Sequence, residues 1–384
     1  MQPINHATIS TSTDVIRPTL VEVNLSRLRE NFTAIKQQVT PARMMPILKA
    51  NAYGHGLVRV AQFFQELGAD YIGVAVLEEG ILLRESGITI PILVLGGVLG
   101  NQIPHFLNFD LTITASSITK LQAIESAAHE LGMRAKVHLK IDTGMERIGV
   151  HYYSAEGFLT ESLRCSHVCI EGIYTHFANA ENADLSHARQ QLERFESVLS
   201  FYEKRAVERP PLVHAANSGA ILQLREATFD MVRPGILLYG VYPSKEVQRT
   251  VNVKPALTWK SRVVYFKVIT PGHPVGYGST WQTDHNTRAV TVPVGYGDGY
   301  FRSMSHKAYV GIRGKRYPVV GSISMDQIVV DIGADSAYNN DDVLLIGEQD
   351  GVPIRVEDLA EWAGTIPYEI LTNINTRVPR LYVD

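Results

Sequence analysis

One segment, Ile47-Leu48-Lys49-Ala50-Asn51-Ala52-Tyr53-Gly54-His55-Gly56, places a lysine directly after an apolar run. Such a lysine is ordinarily solvated. Held in an apolar pocket, its pKa falls and the neutral amine becomes a nucleophile able to condense with a carbonyl. A second segment, Lys140-Ile141-Asp142-Thr143-Gly144-Met145-Glu146-Arg147, crowds two cations and two acids into one loop. His176, Asn217-Ser218-Gly219 and Arg233-Pro234-Gly235 each close a β-rich run of their own. The last exposes a backbone turn of the kind that receives phosphate. Packing alone would not choose such a set of polar groups.

These groups need elements to hold them. Candidate strands lie at 44–48, 71–76, 90–95, 111–114, 136–141, 169–175, 212–216 and 229–233, several of them nearly continuous apolar runs, as parallel strands covered on both faces should be. Helical patterns separate them. Ser117 reads as an N-cap, with Ile118, Leu121, Ile124, Ala128 and Leu131 following at spacings of three and four, and Gly132 stopping the helix. Leu185, Ala188, Leu192, Phe195, Leu199 and Tyr202 form a longer stripe of the same kind, read as a packing face. This alternation predicts an α/β fold with a (β/α)8 TIM-like barrel in preference to an open doubly wound sheet, although right-handed crossovers permit both. In a barrel the chemistry sits at the carboxyl ends of the strands, where the first, fifth, sixth, seventh and eighth runs present the groups named above.

The barrel is expected over 18–250, after a flexible tail at 1–17. Residues 20–24 are extended and precede an amphipathic helix marked by Leu28, Phe32, Ile35 and Val39; the extended stretch could pair with a later domain. That domain, 251–384, carries β-like runs at 289–294, 308–312, 319–322, 328–332 and 343–346 and reads as mostly antiparallel. The chain has 384 residues, with 36 Lys+Arg against 39 Asp+Glu and a net charge of −3, so no basic field attracts nucleic acid or an anionic membrane. Hydrophobic residues at 45% with 20% charged argue against disorder. No apolar run approaches a membrane span, and the polar N-terminus lacks the apolar core of a signal peptide. Cys165 and Cys169 are the only cysteines, which fits a reducing cytoplasm.

The segment 47–56 resembles the pyridoxal-phosphate attachment motif of the alanine racemases. Lys-Ile-Asp-Thr-Gly-Met, Tyr-Thr-His-Phe-Ala, Ala-Asn-Ser and Arg-Pro-Gly-Ile are similar to that family in the same order, as are Gly276-Tyr277-Gly278, Gly295-Tyr296-Gly297-Asp298-Gly299, Ser324-Met325-Asp326 and Arg377-Val378-Pro379-Arg380. The resemblance implies a cofactor-holding barrel, a C-terminal β-domain, and a head-to-tail homodimer in which each active site borrows residues from its partner. It implies an isomerase interconverting L- and D-alanine and supplying D-alanine for peptidoglycan.

By the same resemblance, Lys49 would carry pyridoxal 5′-phosphate, with Tyr53, Asn217, Ser218 and the backbone at Gly235 and Ile236 helping to hold it. Arg233 would face the pyridine nitrogen, supported by His176, and Arg147 would contact the cofactor's phenolic oxygen and the substrate carboxylate. Because a guanidinium does not take up a proton, the ring nitrogen would stay unprotonated, a weaker electron sink than a protonated ring. Lys49 would act on the D-enantiomer and Tyr277 of the second chain on the L-enantiomer, with Arg302 close to Tyr277. Met325 of the second chain would offer its N–H to the substrate carboxylate. Lys140 aligns with a lysine that is carbamylated in many members; Tyr296 and Asp326 are read as supporting residues.

One departure matters. Many members have a tyrosine before the final Arg-Val-Pro-Arg; here it is Thr376, which opens space and leaves serine or another small amino acid as an alternative substrate. A fold-related decarboxylase would normally set an acid, not Arg233, against the ring nitrogen, and a non-catalytic pyridoxal-phosphate carrier would lack the β-domain and Tyr277. Gly295–Gly299 is not read as a nucleotide loop, since no helix follows it. Cys165-Ser166-His167-Val168-Cys169 has the wrong spacing for zinc and is read as packing, so no metal is expected. His55 and His214, near the motifs, are read as supporting only.

Overall fold

The computed structural model describes residues 16–384, so most of the 1–17 tail lies outside the described residues. They divide into two compact units. One holds Leu28–Ala52 and Gly56–Lys254; the other holds Tyr53–His55, Pro255–Asp384 and the described residues through Arg27.

The first unit is a parallel barrel. Its strands are Arg43–Met44, Ile72–Val74, Ile92–Val94, Thr112–Ala115, Ala135–Asp142, Val168–Tyr174, Leu212–His214 and Met231–Val232. Each pairs with the next, and the eighth pairs with the first. A parallel bridge between Ile47 and Gly73 joins the first to the second and closes the ring. The eight runs read from the sequence are these eight strands, because strands buried on both faces advertise themselves as apolar runs. The Ser117 hydroxyl accepts the Lys120 N–H (3.1 Å) and starts the helix Ile118–Glu130. The longer stripe is the helix Ser186–Lys204, and Leu28 and Ile35 are fully buried on Leu25–Val39.

Alternation along the fifth strand sets the chemistry. Val137, Leu139 and Ile141 are fully buried on one face. His138, Lys140 and Asp142 share the other, and that face is the barrel interior: the His138 ring lies 5.6 Å from that of Tyr71, which opens the second strand on a different part of the ring.

The second unit is built on a ten-stranded, mostly antiparallel sheet. From the edge strand Tyr265–Ile269 it runs through Thr287–Val292, Ile328–Gly333, Lys315–Val320, Tyr309–Ile312, Asp342–Gln349 and Leu257–Arg262, then to Leu20–Asn24 and Arg380–Val383. Leu20–Asn24 pairs antiparallel with Leu257–Arg262 and parallel with Arg380–Val383, so the sequence-remote ends of the described chain meet in one sheet. Helices Val356–Ala363 and Pro367–Asn373, absent from the sequence reading, follow the Val352–Ile354 strand. No helix among the described residues is long and apolar enough to cross a membrane.

Candidate active site

Lys49 begins a turn in which Ala50, Asn51, Ala52 and Tyr53 all have φ between 52° and 56°. Four non-glycine residues in the left-handed region are strained, at about 1–2 kcal/mol each. Their neighbours impose it. The Ala50 N–H donates to Glu79 Oε1 (2.7 Å), and Asn51 accepts the Leu57 N–H on its side chain (2.8 Å) and the Gly56 N–H on its carbonyl (2.9 Å). The turn lifts Lys49 off the strand at the carboxyl end of the barrel. Lys49 is partly open to solvent, yet desolvation of the amine and then the positive field of Arg147 lower its pKa, with Glu79 opposing. A lowered amine pKa is what a carbonyl-condensing lysine needs.

Arg233 is 3% exposed and fixed from three sides. Its Nη1 donates to His214 Nδ1 (2.8 Å), while Nη2 donates to the Thr175 and Ala215 carbonyls (2.7 and 2.9 Å) and to His176 Nδ1 (3.2 Å). Arginine has no acceptor, so both imidazoles must present a lone pair at Nδ1 and keep their protons on Nε2. Burial, then the charge of Arg233, holds both histidines well below their ordinary pKa and therefore neutral. Burial also lowers Arg233 to about 10, which leaves it charged at neutral pH. Its Nε–H and one Nη1–H take no protein acceptor among the described residues. The chain of imidazoles continues inward, His214 Nε2 donating to His138 Nδ1 (2.8 Å), with His138 lowered to about 3 by burial and then by Arg233.

The fifth strand supplies the next layer. Lys140 is 3% exposed; its amine donates to the Ile141 carbonyl (2.9 Å) and stands 5.2 Å from the centre of the Tyr174 ring, over which Arg233 also sits at 5.3 Å. Burial first, then the charges of Arg233 and Arg147, pull Lys140 down to about 7 against the attraction of Asp142. Asp142 gathers the N–H groups of Gly144, Met145 and Arg147 (2.8, 2.9 and 3.2 Å) and so shapes the loop that carries Arg147.

At the seventh and eighth strands, Ser218 Oγ is buried and accepts the Gly235 N–H (2.9 Å), which leaves its own proton to donate. The Asn217 side-chain carbonyl accepts the Ala220 N–H (3.1 Å) as a helix cap, which leaves its amide donors. Lys49, Lys140, Arg147, His176, Asn217, Ser218, Arg233, Gly235 and Ile236 thus all lie at or just beyond the carboxyl ends of strands in the barrel unit.

The other sequence-predicted residues belong to the second unit. Tyr53 is buried, with its ring 6.1 Å from that of Tyr368, and burial pushes its phenol up. His55 beside it is buried, its Nδ1 2.9 Å from the Tyr53 carbonyl. Gly54 is required there: its φ is +81°, and a side chain would meet the Leu371 carbonyl. Tyr277 sits on a 3-10 turn and is 73% exposed; Tyr296 and Met325 are exposed, as is Thr376. No hydrogen bond joins Arg302 to Tyr277 among the described residues. Asp298, which closes the 3-10 turn Tyr296–Asp298, is a fully buried carboxylate paired with Arg17 and Arg377.

The cysteine reading needs correction. Both thiols are free and no group of metal-binding side chains occurs among the described residues, but Cys169 is exposed near the start of its strand rather than packed. Sequence reasoning also missed His138 and Tyr174 and undervalued His214. The available signal was period two: His138, Lys140 and Asp142 alternate with aliphatics, which puts three polar groups on one face of a strand.

Residues 23–243 match the family profile described as "Alanine racemase, N-terminal domain", and residues 256–382 that of "Alanine racemase, C-terminal domain". The chain belongs to the alanine racemase family. It is 44% identical over 370 residues to the alanine racemase of Carboxydothermus hydrogenoformans, covering 96% of this chain and 100% of that one. It is also 44% identical to the alanine racemase of Symbiobacterium thermophilum, over 96% and 98% of the two chains. Among solved structures, the alanine racemase of Bacillus anthracis with bound L-Ala-P is similar at a TM-score of 0.90 and 35% identity, over 96% of this chain and 95% of that one.

Alanine racemases depend on pyridoxal phosphate, and the donors of the barrel unit suit that group. A depressed amine suits its carbonyl, the unclaimed N–H groups of a buried guanidinium suit its ring nitrogen, and neutral hydroxyl and amide donors suit its phosphate.

Proposed function

We propose that this chain, paired head to tail with a second copy, interconverts L- and D-alanine with pyridoxal 5′-phosphate held on Lys49, and that Lys49 and Tyr277 of the partner subunit exchange the α-proton on opposite faces. Racemase activity and the cofactor come with family membership. Supply of D-alanine for peptidoglycan is the role that fits that activity. Bound there, the cofactor withdraws electrons from the substrate's α-carbon and makes its hydrogen acidic.

The chain's own groups divide the rest of the work. Ser218, Asn217 and the backbone at Gly235 and Ile236 hold the phosphate with neutral donors. Arg233 donates to the ring nitrogen and, having no proton to spare at neutral pH, keeps that nitrogen unprotonated. Arg147, oriented by Asp142, receives the substrate carboxylate, joined by the Met325 N–H of the partner subunit. Racemisation needs one group to take a proton and another to return one from the other side. The Lys49 amine, with its lowered pKa, takes it from D-alanine. The phenol of Tyr277 takes it from L-alanine, and His176, whose Nε2–H points away from Arg233, is the local donor that stabilises a phenolate.

The observation that carries this reading is Arg233, a buried cation bonded to two neutral imidazoles and left with N–H groups that take no acceptor among the described residues. The test is α-deuterium exchange in D2O, started separately from each enantiomer. Tyr277→Phe is expected to slow exchange from L-alanine by about 10²- to 10⁴-fold, the usual worth of a general base, while sparing D-alanine. Lys49→Ala abolishes both. Equal, unchanged exchange from both enantiomers in Tyr277→Phe overturns the assignment.

A further inference from the structure

We infer that Arg377 is a positioning residue acting across the subunit boundary, setting the loop that carries Met325 and thereby shaping the neighbouring subunit's active site rather than its own. The inference rests on the shared-site reading given above.

Arg377 lies between two carboxylates, its Nε donating to Asp298 Oδ1 (2.6 Å) and its Nη2 to Asp326 Oδ1 (2.6 Å). Asp298 is fully buried and also accepts the Gly295 N–H on Oδ2 (3.0 Å) and pairs with Arg17 (2.7 Å). The fork geometry of a guanidinium is what lets one side chain hold a buried anchor and a surface loop together. The loop is fastened along its backbone as well. Tyr296 N–H donates to the Ser324 carbonyl (3.0 Å) and Gly297 N–H to the Met325 carbonyl (2.9 Å). At Gly295 a side chain would collide with those same two carbonyls, so the Gly-Tyr-Gly-Asp-Gly segment serves as a bed for Ser324–Asp326.

All this order is spent on a loop whose tip the chain itself does not use. Met325 is 52% exposed, and its N–H donates to no backbone acceptor among the described residues. A rigid loop with an open apolar tip and a free donor is preorganised for something outside its own chain. The link back to this chain's own cofactor segment is a different residue. Arg380 donates to the Gly54 carbonyl (3.0 Å) and gathers the carbonyls of Ile374, Asn375 and Val378.

Heterodimers assembled from two differently tagged chains, loaded with pyridoxal phosphate, separate the two directions. The Arg377→Ala homodimer should lose roughly 100-fold in kcat/KM, as for a misplaced substrate contact, mostly through KM for alanine. Paired with Lys49→Ala, the Arg377→Ala chain owns the only Lys49 but receives an intact Met325 loop, so turnover and KM should match a wild-type/Lys49→Ala heterodimer. A Lys49→Ala, Arg377→Ala double chain paired with wild type should instead show the raised KM. Impairment in the first pairing, or none in the second, overturns the inference. The pairing of Lys49→Ala with Tyr277→Phe is the control: one complete site forms only if sites are shared, so failure there overturns the shared-site reading and this inference with it. Should Arg377→Ala not assemble, Asp326→Ala keeps the buried Arg377–Asp298 pair, removes the acceptor on the loop, and must give the same pattern in the same pairings.

Discussion

Lys140 is the residue whose charge conflicts most with its surroundings. It lies in the barrel interior with Arg233 and Arg147 repelling it, and its amine titrates near 7. A neutral amine in a dry pocket is a nucleophile toward CO2, and carbamylation would exchange a repelling cation for an anion able to pin Arg147. The expected result is a carbonyl signal from labelled CO2 in the wild-type protein that is absent in Lys140→Met; an unlabelled wild type would remove the idea. Unmodified, Lys140 has a pH signature. The unfolded chain keeps its proton to about 10.5 and the folded one releases it near 7, so the unfolded state holds more protons in between. Stability should therefore rise with pH across that window, the burial cost being fullest below it. Melting temperatures of CO2-free wild type and Lys140→Met should diverge as pH falls from 10 to 7. Parallel curves would contradict the assignment. The sequence announced Lys49, Lys140 and Arg233 because charges at the ends of apolar runs demand a reason. It concealed His138 and Tyr174, since a lone histidine or tyrosine inside a strand resembles ordinary core until its neighbours on adjacent strands are known.

At the scale of elements, legibility followed burial. Barrel strands covered on both faces read as apolar runs, and the Ser117 cap and Gly132 stop bracketed the helix Ile118–Glu130. Ser117→Ala should cost about 1 kcal/mol, measurable as a lower melting temperature with kcat unchanged. The Tyr265–Ile269 edge strand and the four-residue Arg380–Val383 strand went unread because one is mostly exposed and the other is too short to show a period. The left-handed turn after Lys49 was equally hidden: alanines give no sign of positive φ, and it is Glu79 and Leu57, outside the motif, that enforce it. Asn51 is the member best suited to that conformation and supplies the acceptor for Leu57. Asn51→Ala should therefore loosen the turn and release pyridoxal phosphate, read as faster loss of the protein's visible absorbance on dialysis. Retention equal to wild type would show that the turn does not depend on the Asn51 side chain.

The whole molecule poses a question no single chain answers, which is what covers Tyr277 and Met325. Tyr277 is 73% exposed, and a phenol in water is a poor base at neutral pH. On the proposed shared site, proton abstraction from L-alanine requires that surface to be enclosed beside donors and cations, the role the proposal gives to His176, Arg233 and Arg147 of a second copy. Association and catalysis are then one equilibrium, and mass action governs both. On serial dilution, specific activity should fall in step with the dimer fraction measured by sedimentation, and added Tyr277→Phe chain should restore turnover to diluted Lys49→Ala chain as hybrid dimers form. Racemisation from L-alanine that persists undiminished in a demonstrably monomeric sample would mean that the phenol is not the base, because an exposed tyrosine has no means of holding its phenolate at neutral pH.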